Sequence, residues 1–142
     1  MDLLGILQVS ASGLSAERTR LQTVSSNIAN AQTTQTPEGG AYTRKVPVFR
    51  AEAVTNQFGA VLDSKLRRPI VSDVVADTRP MEYVYDPGHP DADPETGLVQ
   101  MPNVNIVEEM VDMITASRSY EANVTAISAT KNMALKALEI GR

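Results

Sequence analysis

Few residues of this sequence have the types and spacing that catalysis requires. The 142 residues include one histidine and no cysteine, which removes thiolate nucleophiles, disulfides and Cys-ligated zinc. The histidine, His89, lies between Gly88 and Pro90, and because no second histidine accompanies it we favour a loop residue over a metal ligand or a general base. We assign no catalytic, cofactor-binding or metal-binding residue, and we expect a protein that is not an enzyme and needs no cofactor.

A run of alternating carboxylates comes closest to a metal site. Asp91, Asp93 and Glu95 have the spacing of a calcium loop, but the glycine that such a loop needs comes one place late and Pro94 interrupts the turn. An exposed acidic loop is therefore the favoured interpretation of this run.

The remaining charged and polar motifs are weak. Lys65-Leu66-Arg67-Arg68 is a candidate site for a small anion. The favoured interpretation is a solvated basic cluster, which can equally contact an acidic loop of a neighbouring subunit. Asn123-Val124-Thr125 matches the glycosylation sequon but lies inside a predicted helix, so it is discounted. With 13 basic and 17 acidic residues the chain has a net charge of −4. It lacks the positive field that nucleic acid requires, so nucleic acid is not an expected partner.

The distribution of proline divides the chain into three parts. All eight prolines lie between Pro37 and Pro102, and because proline breaks helices from within, only the flanking parts can be continuous helices. The sequence therefore predicts an α+β fold. Residues 1–36 and 103–142 are long helices that pack as a coiled-coil-like pair and form a helical core domain, and residues 37–102 are a small β-rich insert.

The first helix is predicted over residues 3–30. Leu7, Leu14, Leu21 and Ile28 recur every seven residues and form an apolar stripe. The polar positions of this helix are mostly Ser, Thr, Asn and Gln, which are mediocre helix formers, so the helix depends on packing and suits burial on more than one side in an assembly. The alternative is an N-terminus that frays in the isolated monomer.

The last helix is predicted over residues 106–140, with Asn105 as N-cap, Glu108 in a variant capping box and Gly141 at its end. At about 1.5 Å per residue it spans about 50 Å, which is longer than the core of so small a chain needs. Its apolar stripe contains Ile106, Met110, Met113, Tyr120, Val124, Ile127, Ala134 and Leu138. We predict that the stripes of the two helices face each other, antiparallel, and form the assembly interface.

Four strands are predicted within the insert, over residues 42–52, 58–62, 70–75 and 81–85. Pro47 places the first strand at a sheet edge or a bulge. Met81, Tyr83 and Tyr85 alternate with more polar residues, which predicts a half-buried strand. Residues 86–102, rich in Pro, Gly and Asp, are predicted to be a loop.

The sequence contains no recognisable Sec or membrane signal. Residues 1–9 lack a basic n-region, and no stretch approaches the roughly 18 uncharged apolar residues of a membrane-spanning helix. We expect no membrane insertion, and a protein that is soluble or leaves the cell by a route that does not read a Sec signal.

Motifs at both ends of the chain carry a family resemblance. Residues 11–34 contain Ser-Gly-Leu and end in Asn-Ile-Ala-Asn-Ala-Gln-Thr-Thr, which resembles the N-terminal motif of bacterial flagellar rod and hook proteins, the axial protein family. Residues 39–44 continue this motif. Residues 85–93, 101–105 and 108–123 resemble the short rod proteins of the same family, whereas residues 53–79 carry no recognisable motif. The matching residues include Ser12, Gly13, Leu14, Asn27, Asn30, Pro102, Asn103, Asn105, Arg118 and Tyr120.

This resemblance implies a structural subunit of the proximal rod of the flagellar basal body. Such a subunit is exported through the flagellar type III apparatus without a cleaved Sec signal. It assembles with copies of itself and with other rod proteins into a helical tube that crosses the periplasm, transmits torque and encloses the export channel. Two alternatives stay open: another axial protein of the same family, or a cytosolic coiled-coil adaptor or export chaperone, which would be stably helical when purified.

Overall fold

The computed structural model describes residues 3–53 and 67–140. Two long helices flank two small antiparallel sheets, which confirms the predicted α+β fold. In chain order the elements are α1 (Leu3–Ala29), β1 (Lys45–Ala53), β2 (Arg67–Ala76), β3 (Glu82–Tyr85), β4 (Leu98–Met101) and α2 (Ile106–Ile140). Among the described residues, neither helix is both long and apolar enough to cross a membrane.

At the end of helix α1 an asparagine side chain adds a second hydrogen bond to a carbonyl of the last turn. The backbone N–H of Asn30 donates to the carbonyl of Ser26 (3.1 Å), and the Asn30 side-chain amide donates to the same carbonyl (2.9 Å). Thr33 donates its hydroxyl to the Asn30 side chain (3.2 Å). These bonds satisfy groups that a helix end leaves unpaired, and the predicted helix over residues 3–30 is confirmed to within a residue.

Helix α2 begins at the predicted N-cap. The side-chain oxygen of Asn105 accepts hydrogen bonds from the backbone N–H groups of Val107 (3.0 Å) and Glu108 (3.4 Å). The Glu108 carboxylate pairs with Arg79 (3.1 Å), so an ion pair takes the place of the predicted capping box. The predicted bounds of this helix are confirmed, and its expected end at Gly141 lies outside the described residues.

The two helices pack antiparallel along a line of small and polar side chains. Gly13 lies against Asn123, where a Cβ on the glycine would come within 3.0 Å of the Asn123 amide nitrogen. At the other end of the contact, Asn27 of α1 donates to Glu109 of α2 (2.9 Å). Buried positions on the two helices recur at helical spacing and include Ser10, Gly13, Ala16, Thr23, Val24, Asn27, Glu109, Ala116 and Thr130.

The predicted apolar stripes lie beside this line and are less buried than it is. Leu7, Leu14, Leu21 and Ile28 are half-buried, and so are Met113 and Ile127, whereas Ile106 and Tyr120 are exposed. Small residues bring the two backbones close together, which leaves the larger side chains at the flanks of the contact. Within one chain, therefore, the deepest burial belongs to other residues than those of the stripes.

Strands β1 and β2 form a long two-stranded ribbon. The register runs from Lys45 opposite Ala76 to Ala53 opposite Arg67, with a shift between Val48 and Phe49, one residue after Pro47. The prediction of an edge or bulge at Pro47 is confirmed. The ribbon packs on α1, where the hydroxyl of Ser12 donates to the backbone carbonyl of Pro69. The strand predicted over residues 58–62 lies outside the described residues.

Strands β3 and β4 form a short hairpin that corrects two predictions. Residues Leu98–Met101 were expected in a loop and form β4, which pairs with β3 after a turn at Gly97 (φ +67°). The tyrosine face of β3 was expected to be half-buried, yet Tyr83 and Tyr85 are 63% and 71% exposed. The buried residue of the hairpin is Val99, at 2% exposure on the opposite face. A face that no element covers stays in solvent even when its residues alternate correctly.

The loop between these strands is held by its own side chains and by Thr34. The backbone N–H of Asp91 donates to Nδ1 of His89 (3.1 Å), and Thr34 donates its hydroxyl to the Asp91 carboxylate (2.7 Å). The Asp93 carboxylate accepts from the backbone N–H of Glu95 (3.1 Å). In the described ranges no group of three or more His, Asp or Glu side chains is placed to hold a metal ion.

The other two motifs have local structural roles. Arg68 of the basic run pairs with Glu52 across the ribbon (2.6 Å), and Lys65 and Leu66 lie outside the described residues. Asn123 of the sequon is half-buried against Gly13, which leaves little room for a glycan.

Replacing the N-cap tests how α2 begins. Asn105→Ala removes the acceptor for two backbone N–H groups and should lower the free energy of unfolding by about 1 kcal/mol, as N-cap losses do. His89→Ala, which removes one exposed loop bond, should change it by less than about 0.5 kcal/mol. Urea denaturation of the purified variants measures both values, and a larger effect from the histidine would contradict this assignment.

Candidate functional site

A buried cluster of polar side chains joins the two helices to the strands. We call it the polar joint, and it comprises Asn27, Tyr42, Arg44, Asp77, Asn103, Glu109 and Asp112. Two of these side chains are almost fully enclosed, Asn27 at 1% and Glu109 at 0% exposure. Buried polar groups are costly unless they are hydrogen-bonded, so the partners of each member decide whether the cluster stabilises the fold.

Asn27 uses every hydrogen-bonding position of its side chain. The amide group donates to the backbone carbonyl of Lys45 (2.9 Å) and to the carboxylate of Glu109 (2.9 Å). The carbonyl oxygen accepts from the backbone N–H of Lys45 (3.0 Å) and from the hydroxyl of Tyr42 (3.0 Å). An asparagine has two donors and two acceptor lone pairs, so this side chain is fully satisfied. It pairs with both the N–H and the carbonyl of Lys45, as the backbone of a neighbouring strand would.

Arg44 is the cation of the polar joint. Its Nε donates to the carboxylate of Glu109 (2.6 Å), and its terminal nitrogens pair with Asp77 (3.2 Å) and Asp112 (3.6 Å). Burial lowers the pKa of Arg44, but the hydrogen bonds and charges of Glu109 and Asp77 outweigh burial and raise it, so the guanidinium stays charged. One arginine thus neutralises the carboxylate that α2 turns inward.

Asp77 and Asn103 complete the polar joint on the side of the insert. Asp77 accepts from Arg79 (2.8 Å) as well as from Arg44; burial raises its pKa, but these bonds outweigh burial and hold it below the ordinary value of 3.8. The Asn103 oxygen accepts from the backbone N–H of Arg44 (2.8 Å), and its amide donates to the backbone carbonyl of Arg79 (2.9 Å). The segment that leads into α2 is thereby fixed to the insert.

An ion pair between the helices extends the polar joint. Arg20 of α1 donates to the carboxylate of Asp112 (3.0 Å), whose other oxygen lies 3.6 Å from Arg44. Asp112 follows Glu109 by three residues and therefore lies on the same face of α2. The first turns of α2 are held to α1 and to the insert by charge as well as by packing.

The residues of the family motifs divide between structural and exposed positions. Asn27 and Asn103 belong to the polar joint, and Asn30 and Asn105 are at helix ends. Pro102 is buried, whereas Arg118 is exposed. Ser12 and Gly13 make contacts between elements, Leu14 is half-buried, and Tyr120 is 37% exposed.

Sequence reasoning missed the charged half of the polar joint. Arg44, Asp77 and Glu109 received no individual role. The structure shows Glu109 in the first turn of α2, fully buried and bonded to Arg44. A signal was present, because Glu109, Asp112 and Ala116 recur at the spacing of one helix face.

A row of exposed apolar side chains runs along the outer side of α2. We call Val107, Met110, Val111 and Ile114 the outer stripe; their spacing places them together on the helix, and their exposures are 68%, 55%, 59% and 57%. Contiguous apolar surface of this kind on a soluble chain marks a contact with another macromolecule. The arrangement offers protein contact rather than reaction chemistry.

Removing the buried carboxylate tests the polar joint. Glu109→Ala leaves Arg44 buried with less compensation and deprives Asn27 of one acceptor, so the free energy of unfolding should fall by about 3–5 kcal/mol. Glu108→Ala is the matched control, because its side chain is 54% exposed, and the loss there should be below about 1 kcal/mol. Equal losses from urea denaturation of the two variants would contradict the role given to Glu109.

The lowered pKa of Asp77 predicts a dependence of stability on pH. The unfolded chain binds a proton at the ordinary value of 3.8 and the folded chain only below it, so the stability that ionised Asp77 contributes is present above about pH 4 and is lost as the pH falls through the folded pKa. Asp77→Asn should be less stable than wild type at neutral pH and should lose less stability below pH 4. Thermal unfolding between pH 6 and pH 2 measures this; parallel curves for the two proteins would contradict it.

Comparison with known proteins identifies the family. Residues 7–35 match the family described as flagella basal body rod protein, and residues 95–140 match the family described as flagellar basal body rod FlgEFG protein C-terminal. The flagellar basal-body rod protein FlgC of Borreliella burgdorferi is 42% identical, with 99% of this chain and 98% of the relative covered. The proteins of the same name from Bacillus subtilis and Salmonella typhimurium are 43% and 39% identical, covering 96% and 100% of each chain. The chain belongs to the FlgC family of flagellar basal-body rod proteins.

Proposed function

We propose that the chain is a structural subunit of the proximal rod of the flagellar basal body. It assembles with copies of itself and with other rod proteins into a helical tube that transmits torque and encloses the export channel. It reaches the periplasm through the flagellar type III apparatus without a cleaved Sec signal, and it performs no catalysis. The names of its relatives and the exposed apolar surface of α2 support this proposal.

The observation that carries the proposal is where the apolar surface lies. The interior of the chain is closed by the polar joint and by small residues, while the outer stripe stays in solvent. Burying one Leu, Ile, Val or Met side chain contributes about 1.5–3 kcal/mol, so four such residues give a neighbouring subunit a substantial gain in free energy. A chain whose interior polar groups are already paired and whose surface carries an apolar stripe is suited to polymerisation.

The predicted apolar stripes of α1 and α2 can form further contacts between subunits, in addition to the outer stripe. Leu7, Leu14, Leu21, Ile28, Met113 and Ile127 are half-buried, and Ile106 and Tyr120 are exposed, so each retains surface for a neighbouring subunit to cover. The helices of several copies can then pack side by side with these residues between them. Asn, Ser and Thr on α1 satisfy hydrogen bonds where helices of different copies meet without burying unpaired charge.

A charge in the outer stripe tests the proposal. Ile114→Asp should abolish incorporation of the chain into basal bodies and motility of the cells, because a carboxylate would be desolvated at the subunit contact. Its unfolding midpoint as a purified monomer should be that of wild type, because the side chain is 57% exposed there. Ile114→Leu is the matched control and should assemble.

Two results would contradict the proposal. One is normal incorporation of Ile114→Asp into basal bodies. The other is a wild-type chain that is absent from basal bodies and stays folded in the cytosol, as an adaptor or export chaperone would.

A further inference from the structure

The exposed face of the β3–β4 hairpin carries tyrosines and a shallow cavity. Tyr83 and Tyr85 share this face with Leu98, and the two rings are 63% and 71% exposed. Beside Tyr83 lies a cavity of about 370 Å³, which we call the acidic pocket. Its lining includes Tyr83, Leu98, Gln100, Asp91, Ala92 and Asp93. Apolar surface and two carboxylates therefore meet at one place.

The charges around the acidic pocket have one sign. Residues 80–105 contain five carboxylates and no Lys or Arg. Asp93 accepts hydrogen bonds from a backbone N–H (3.1 Å) and from the hydroxyl of Thr96 (2.9 Å), which hold its pKa below the ordinary value, and Asp91 is fixed by Thr34 (2.7 Å). The two carboxylates are held in place before any partner arrives, so their ordering costs a partner little.

The far end of α2 is apolar with a small excess of positive charge, because residues 131–140 contain two lysines and one glutamate, Glu139. Counting from the contact of Gly13 with Asn123, the antiparallel register sets Met133 opposite Leu3, so α2 continues beyond the described start of α1. We call residues 131–140 the terminal segment of α2. Lys131, Leu135 and Leu138 recur there at helical spacing and are exposed, as are Met133, Lys136 and Ile140.

These two surfaces lie at opposite ends of the molecule. Residues 102–105 join the hairpin to the start of α2, while the terminal segment is the last part of the same helix. At about 1.5 Å per residue, the terminal segment begins about 38 Å and ends about 50 Å from the start of α2. They cannot meet within one copy.

We propose that the terminal segment of α2 in one copy docks on the tyrosine face of the hairpin in a second copy. This inference rests on the proposed function and names one of its subunit contacts. A lysine of the terminal segment enters the acidic pocket, with its ammonium group at Asp91 and Asp93 and its aliphatic stem along Tyr83. The leucines beside it cover the exposed tyrosine rings. Because the two surfaces differ, the contact is head-to-tail, the type that builds an open helical polymer when the rotation between copies does not close a ring.

Cross-linking in assembled basal bodies tests the contact. The chain has no cysteine, so two introduced thiols report on one pair of sites. Cells that express Ala92→Cys and Leu135→Cys on separate copies are treated with a short bismaleimide, and we expect a covalent dimer of this chain. Ala92→Cys combined with Ser117→Cys, an exposed position nearer the middle of α2, is the control and should give no dimer.

A second variant tests the charge. Lys131→Glu combined with Lys136→Glu should abolish the cross-link between positions 92 and 135, whereas Arg118→Glu, which removes an exposed cation elsewhere on α2, should leave it. Circular dichroism of the purified variants checks that α2 still forms.

The outcomes separate this inference from the proposed function. If the chain is present in basal bodies and no dimer forms, or if position 135 links to a different polypeptide, the inference is overturned and the rod function stands. If the chain is absent from basal bodies, both are overturned. A dimer that persists in the double lysine variant overturns the assignment of lysine to the acidic pocket.

Discussion

The structure depends on a buried hydrogen bond between two side chains 82 residues apart, Asn27 of α1 and Glu109 of α2. Neither group can be enclosed alone, because a buried carboxylate needs a cation and a buried amide needs four partners. Arg44 and the backbone of Lys45 supply them, and both come from the insert. The arrangement of the three parts of the chain is therefore fixed at one point, where the loss of any one partner leaves the others unsatisfied. This explains why two of the three largest fully buried side chains, Glu109 and Asn27, are polar in a chain rich in Leu, Ile, Val and Met.

A polar interior of this kind specifies geometry more than it adds stability. Buried ion pairs return little net free energy after desolvation, whereas mismatched ones are expensive, so only one register of α1 against α2 satisfies the polar joint. The small residues along the helix contact, such as Gly13 and Ala116, act in the same direction because they leave no room for a slipped arrangement. Apolar area, which is the stronger source of stabilisation, stays on the outside of α2. The polar interior fixes the shape of the subunit, and the exposed apolar area of α2 can stabilise contacts with other proteins.

The sequence predicted the helices well and their inner faces poorly, for one physical reason. Proline distribution and the cap at Asn105 are local signals, so the bounds of both helices follow from residues next to them. Which face of a helix points inward is a tertiary property. Apolar periodicity indicated Leu7, Leu14 and Leu21, because such periodicity identifies an inner face only when the buried residues are apolar. Strand β4 was missed because Pro, Gly and Asp make up most of residues 86–97, and its pairing with β3 depends on a turn at Gly97 that no local apolar pattern predicts. Asn27 and Asn103 were found by family resemblance alone, which names residues without their partners.

The separation of these partners along the chain links folding to assembly. Closing a longer loop costs more entropy, and the partners of Asn27 lie in the insert and at the start of α2, so the polar joint forms only after the first turn of the last helix is present. Until then α1, with its poor intrinsic propensity, has only the insert to pack against within the chain. The outer stripe lies on the same turns of α2 as Glu109 and Asp112, hence it takes its final orientation relative to α1 in the step that completes the polar joint. In an unfolded chain the outer stripe therefore has no fixed orientation. Because the polar joint must form first, contact between incompletely folded subunits is disfavoured.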